Sequence, residues 1–245
     1  MAGSEARTRA GGGEFAVISV DMFQTLVDVA SRRCHIWQTL LGDRYTEPLA
    51  SQYWALSERV VLGCFEQLSQ TGDFLSVKQI FARGFAAMFR EAGLELDPQW
   101  AAQVAAREHA LAQPYEDALP FLEASSAVYP VCLVCDGDRD MLPQAILAKA
   151  DFDRVFLSER LRAYKAAPDG QLFAAVVSHY NLPAERILHI GDSAADVVGA
   201  QRAGMRACWL NRTGVTWVAR THVPDYTVTT LGAAAKLIGL HLPGG

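Results

Sequence analysis

The chain reads AVISV from Ala16 to Val20, apolar but for one serine, and the run ends on Asp21. A short run that is apolar on both sides predicts a strand buried on both faces of a sheet. The pattern then changes. From 29 to 116, segments such as LASQYWALSERVVLGCFEQL and VKQIFARGFAAMFREAG place apolar residues three and four apart, the helical period. Gly93 fits a helix stop, and Asp97-Pro98 fits a cap followed by proline in the first helical position. No segment of this stretch reads as a strand.

From Asp117 onward strand and helix patterns alternate. Strands are predicted at 130–135, 154–158, 186–191 and 206–211, with an edge strand at 226–230. Helices are predicted over DMLPQAILAKA, DGQLFAAVVSHYN and ADVVGAQRAG. Wholly apolar strands separated by helices predict an α/β fold, a doubly wound parallel sheet covered on both faces. The expected division is a flexible leader at 1–14, a core formed by 15–28 and 117–245, and an inserted all-helical cap at 29–116.

Charge and composition narrow the classes of function. A net charge of −5 offers no basic field for nucleic acid or an anionic membrane. The longest apolar runs fall well short of the ~20 residues of a membrane span, and the N-terminus has no secretory apolar region. Five cysteines, an odd number in a large chain, argue against a disulfide framework and for a reduced, cytoplasmic setting. Cys132 and Cys135 form a C-x-x-C, but residues three apart on a strand point to opposite faces, and no second pair completes a zinc site.

Ligands of doubly wound sheets bind beyond the carboxyl ends of the strands. The residues predicted there are Asp21 and Thr25, then Cys135, Asp136 and Gly137, then Lys165, then Asp192, Ser193 and Asp196. Carboxylate oxygens are the ligands magnesium prefers. A lysine beside them keeps an aspartate ionised and offsets charge on a bound anion. The chain has only four lysines, so one at this place in the order is informative.

Four segments in order, DMFQT, LVCDGD, YKAAPD and GDSAADVVGAQRAG, give residues 15–240 a resemblance to the haloacid dehalogenase superfamily with a helical cap inserted after the first motif. The resemblance implies a hydrolase with Asp21 as nucleophile, Thr25 supporting its turn and Lys165 as the motif-three lysine. It implies magnesium held by Asp21, the Phe23 carbonyl, Asp192 and Asp196. It implies a substrate group bound by the second motif, at Cys135, Asp136 and Gly137. A carboxylate next to a metal and a lysine attacks phosphorus or an activated carbon, and the aspartyl ester then hydrolyses.

The expected function is magnesium-dependent phosphoryl hydrolysis of a small phosphorylated metabolite, with a small-molecule substrate as partner and neither nucleic acid nor membrane. Two departures support alternatives. Phosphatases of the superfamily carry a second aspartate where this chain has Phe23, and the dehalogenase branch carries an aromatic residue there. Cys135 replaces the phosphate-binding hydroxyl, with the charge of Asp136 beside it. The alternatives are a carbon-centred hydrolase of the 2-haloacid dehalogenase type and a protein that keeps the fold with little turnover. In a dehalogenase a cap arginine receives the halide. Arg44 and Arg59 are the candidates, and Ala55 follows Trp54 where that arginine is expected.

Overall fold

The computed structural model describes residues 13–242, so all but the last two residues of the expected leader lie outside the described residues. In chain order the elements are β1 (Val17–Val20), β2 (Val27–Asp28), α1 (Arg33–Leu41), α2 (Glu47–Thr71), α3 (Val77–Ala92), α4 (Pro98–Ala110), β3 (Gln113–Pro114), α5 (Ala118–Val128) and β4 (Val131–Cys135). They continue with α6 (Gln144–Leu147), β5 (Arg154–Leu157), α7 (Ser158–Leu161), α8 (Gln171–Tyr180), β6 (Ile187–Gly191), α9 (Ala194–Arg202), β7 (Arg206–Leu210), β8 (Tyr226–Val228) and α10 (Leu231–Leu237).

Six strands form one parallel sheet in the order β5-β4-β1-β6-β7-β8. The chain winds outward from β1 through β4 to β5, then returns and winds the other way from β6. The reversal flanks β1, so the crevice at a switch point opens beyond the ends of β1 and β6. Alternation along each strand fills two cores. Ile18, Val20, Leu133, Cys135, Leu188 and Ile190 face one, and Val17, Cys132, Val134 and Ile187 face the other. Cys132 and Cys135 therefore sit on opposite faces.

Helices α1–α4 close a core of their own around Trp37, Phe85, Met88 and Ala105. Their ends follow local chemistry. Ser76 and Gln79 form a capping box at the start of α3, Asp97 accepts the Gln99 N–H at the start of α4, and α3 stops at left-handed Gly93. The pattern misses two details. β2 and β3 pair as a two-residue antiparallel ladder where the chain enters and leaves these helices. The helix predicted over DMLPQAILAKA shortens to α6, because Pro143 holds Leu142 extended (ψ 127°).

The helical layer is tied to the sheet by few polar contacts. The Asp138 carboxylate accepts the N–H groups of Val77 and Lys78 at 2.8 and 2.9 Å, and Lys78 pairs with Asp140 at 2.6 Å. The Tyr164 hydroxyl accepts the Leu75 N–H at 2.9 Å and donates to its carbonyl at 2.6 Å.

Candidate active site

Asp21 follows β1 directly, and its N–H donates to the Ile190 carbonyl of β6 at 2.9 Å. The chain then folds back at once. The Leu26 and Val27 N–H groups both donate to the Met22 carbonyl, at 2.9 and 3.1 Å. Gln24 takes a left-handed conformation (φ 61°), held by its side-chain oxygen, which accepts the Val29 and Ala30 N–H groups at 2.9 and 3.2 Å. This turn aims the Phe23 ring edge-on at His109 of α4, with centroids 5.2 Å apart.

Lys165 arrives after α7 and is 4% exposed. Its ammonium hydrogen-bonds to Asp21 and, at 2.6 Å, to Asp196. Asp196 lies in the first turn of α9, where it and Ser193 form a capping box. It accepts the Ser193 hydroxyl at 2.5 Å and the His189 Nε2–H at 2.9 Å. His189 in turn accepts the Ser19 hydroxyl on Nδ1 at 2.8 Å. Burial holds His189 below its ordinary pKa, in line with a neutral ring relaying between two partners. Close packing needs glycines here. A Cβ on Gly191 would stand 2.3 Å from the Asp196 carboxyl carbon, and one on Gly199 2.3 Å from the Lys165 carbonyl oxygen.

The carboxyl groups differ sharply. Burial raises Asp196, but Lys165 and His189 outweigh that and hold it far below the carboxylate range. Asp21 is raised to about 6 by burial first and the Asp196 charge next, against the pull of Lys165. Burial, then Asp21 and Asp196, pushes Asp192 well above its ordinary value. Asp136, which accepts the Lys165 N–H at 3.1 Å, is raised by burial to about 7.

These residues open on a cavity of about 710 Å³ between the sheet ends and α2. Of the residues singled out from sequence, Asp21, Phe23, Asp136, Lys165, Asp192, Ser193 and Asp196 line it. Thr25, Cys135 and Gly137 do not. Thr25 is buried beneath, with its hydroxyl 3.5 Å from Asp192. Strand alternation turns Cys135 into the apolar core, where burial pushes its thiol well up, and the Gly137 N–H is spent on the Ser158 hydroxyl at 3.0 Å. Arg59 pairs with Glu91 at the surface, Arg44 is exposed, and neither reaches the cavity.

Sequence reasoning missed several wall residues. Leu62, Glu66 and Gln70 of α2 are spaced four apart and so share one face, a signal available beforehand. Of the aromatic residues in this stretch that the sequence offers as pocket candidates, Trp37, Tyr53, Trp54, Phe65 and Phe74, Phe65 of the same helix does line the cavity, whereas Trp37, Tyr53 and Trp54 pack within the helical layer. Arg202, whose guanidinium donates to the Ala166 carbonyl at 3.1 Å, carries no local signal.

Asp21, Asp192 and Asp196 bring oxygens to within 4.8 Å of one another. An all-oxygen carboxylate set is the kind magnesium takes. Asp196 already spends its oxygens on Lys165, His189 and Ser193, so the fit rests on Asp21 and Asp192.

A family model for haloacid dehalogenase-like hydrolases matches residues 15–204. The (S)-2-haloacid dehalogenase of Pseudomonas sp. (strain YL) is 31% identical over 86 residues, 35% of this chain and 36% of that protein. The (S)-2-haloacid dehalogenase H-109 of Pseudomonas putida is 26% identical over 119 residues, 47% of this chain and 51% of that protein. The matches thus span about a third to a half of these curated relatives. Among solved structures, the HAD-hydrolase YfnB of Bacillus subtilis bound to magnesium superposes with a TM-score of 0.77 at 20% identity, covering 93% of this chain and 100% of that one. The L-2-haloacid dehalogenase of Xanthobacter autotrophicus with chloropropionic acid covalently bound gives 0.75 at 20% identity, covering 92% and 98%. Structures at such identity share the fold, and it is the family match over 15–204 that places this chain among the haloacid dehalogenase-like hydrolases.

Proposed function

We propose that this hydrolase acts at carbon, with Asp21 displacing halide from a small 2-haloacid. The observation that carries this reading is Phe23. Its ring fills the position beside the nucleophile and packs on His109, so no proton donor stands there. A phosphate ester expels an alkoxide, which needs a general acid worth ~10²–10⁴-fold. A halide leaves as a stable anion and needs none.

In this reading one Asp21 oxygen forms the bond to the substrate's α-carbon as the carbon–halogen bond breaks and the halide takes its electron pair. Lys165 holds Asp21 in place and Asp196 holds Lys165. Water then adds to the Asp21 carboxyl carbon, Asp192 takes its proton and returns it to the departing alkoxide, and the 2-hydroxyacid leaves with the oxygen first carried by Asp21. The raised pKa of Asp192 suits a base. Ala194 and Ala195 open α9 in the cavity wall, where free helix N–H groups and Arg202 favour the substrate carboxylate. Helices α1–α4 serve as the cap over this site, and the motif-one turn at Thr25 supports the nucleophile.

The test is chloride release from (S)-2-chloropropionate in excess EDTA, with Asp21→Asn as control. Release that resists EDTA and vanishes in Asp21→Asn supports the reading. No release from any 2-haloacid overturns it.

Metal-assisted phosphoryl hydrolysis is the second reading, favoured by the three carboxyl groups that meet within 4.8 Å. Magnesium there would be held by Asp21, Asp192 and the Phe23 carbonyl, with Asp196 kept by Lys165, His189 and Ser193, and it would neutralise charge between nucleophile and phosphoryl group. Magnesium-dependent hydrolysis of an aryl phosphate, with no chloride release, would favour it.

A further inference from the structure

Ser19 and His189 face each other in register across β1 and β6. Alternation puts both on the side of the sheet that Val17 and Ile187 fill, and both are fully buried. Phe173 meets the imidazole edge-on, with centroids 4.7 Å apart. Two polar side chains thus interrupt an apolar core. Replacing such a bonded pair with apolar groups of similar shape is close to neutral for stability, so stability alone does not account for it. Neither residue lines the acidic cavity.

What the pair reaches is Asp196, whose two oxygens have separate partners. Oδ2 accepts the Ser193 N–H at 3.1 Å and the Ser193 hydroxyl at 2.5 Å, which ties it to the start of α9. Oδ1 accepts the His189 Nε2–H at 2.9 Å and the Lys165 ammonium at 2.6 Å. An ionised carboxylate only accepts, so the ring must present its N–H to it. A neutral ring then offers a bare Nδ1 to the Ser19 hydroxyl, 2.8 Å away. Ser19, His189, Asp196, Lys165 and Asp21 therefore form one continuous line of hydrogen bonds, from the core of the sheet to the nucleophile. No member is more than 4% exposed.

We propose that Ser19 and His189 are positioning residues for the reaction at Asp21: the ring, oriented by the Ser19 hydroxyl, pins the Asp196 oxygen that holds Lys165 beside the nucleophile. Without the ring, Ser193 would still tie Oδ2, but Oδ1 would be free to turn and Lys165 to follow it. A misplacement of about 1 Å in such a support costs on the order of 10²-fold in rate. The role rests on Asp21 as nucleophile and is the same whether the electrophile is carbon or phosphorus.

The test compares the full chain, ¹⁵N-labelled at histidine and lysine, with His189→Gln, His189→Asn and Ser19→Ala. The two amides bury equal polarity, but glutamine carries its NH₂ to the place of Nε2 and asparagine only to that of Nδ1. We expect the wild-type ring to hold its proton on Nε2 and leave Nδ1 bare. The Lys165 ammonium signal should persist in His189→Gln and be lost to solvent exchange in His189→Asn. On (S)-2-chloropropionate, or on p-nitrophenyl phosphate with magnesium, kcat should fall ~10²-fold in His189→Asn with KM within about twofold, and His189→Gln should regain about tenfold or more. Ser19→Ala, which acts through the ring, should show a smaller loss of kcat. If the wild type turns over neither probe, the reading of the activity fails, and the imidazole and ammonium signals alone decide the positioning role. A proton on Nδ1, equal kcat in the two amides, or a Lys165 signal unchanged in His189→Asn would overturn the proposal. Should His189→Asn not fold, Ser19→Ala takes its place, and wild-type readings there would overturn it as well.

Discussion

The Lys165 ammonium and the Asp196 carboxylate lie 2.6 Å apart, both almost wholly shielded from water. Burial alone would lower the lysine's pKa, but Asp196 and Asp21 together hold it well above its ordinary value. The two carboxylates that share this cation are not equivalent. Asp196 also accepts from His189 and Ser193, so it is the fixed anion of the site. Asp21, with fewer donors and the Asp196 charge nearby, is the one left to titrate.

Lys165→Met should leave two buried carboxyl groups without a cation, at a cost of about 3–5 kcal/mol near neutral pH. Both groups would then bind protons more tightly folded than unfolded. Stability therefore rises as pH falls, because the native state holds the extra protons. Urea unfolding at acidic and alkaline pH checks this, and equal destabilisation at both would refute it.

The pKa of Asp21, raised from 3.8 to about 6, sets a pH profile. Nucleophilic attack needs the carboxylate, so kcat/KM should climb through pH about 6 and level off about one unit higher. Stability moves the other way. A raised carboxyl contributes fully below its unfolded value of 3.8, and that contribution is lost as pH rises through about 6. Asp21→Asn should abolish the rate and remove this step from the stability profile. A rate that is flat across that interval would count against Asp21 as the nucleophile.

Phe23→Asp should trade one chemistry for the other. A carboxyl there can protonate a departing alkoxide, so alkyl phosphate hydrolysis with magnesium should rise by tenfold or more of the ~10²–10⁴ that such groups provide. Chloride release should fall, since the ring no longer packs on His109. Steady-state rates for both substrates, with Asp21→Asn added in the double variant, decide the matter. A folded protein with no phosphatase gain would put the obstacle at Asp136.

Asp138→Ala should loosen the helical layer from the sheet. The Val77 and Lys78 N–H groups lose their acceptor, for a cost of about 1–3 kcal/mol. Amide exchange should accelerate first at the start of α3, and Asp138→Asn should retain part of the protection. Unchanged exchange there would show that Tyr164 and Leu75 suffice to dock it.

Several features were legible because their causes are local. The apolar runs at 17–20 and 131–135 read as buried strands, and the period of two put Cys132 and Cys135 on opposite faces. The Asp97-Pro98 cap and the Gly93 stop are single-turn effects. The α6 segment misread as a longer helix is local too, since Pro143 carried the signal. The segment DGDRD was harder. Asp136 turns to the cavity and Asp138 to the N-terminus of α3, and nothing in their spacing says so.

By itself the sequence determined the alternation of strands and helices, and hence a parallel sheet. It also determined that Asp21, Lys165, Asp192 and Asp196 would stand beyond strand ends, because strand polarity sends every C-terminus to one edge. Only the tertiary structure decided which oxygens Lys165 bonds, that Cys135 turns inward, that Arg202 and one face of α2 wall the cavity, and that Trp37 keeps an unpaired N–H. Those outcomes depend on how the helices dock on the sheet. Docking is set by the summed packing of residues far apart in the chain, which no local pattern records.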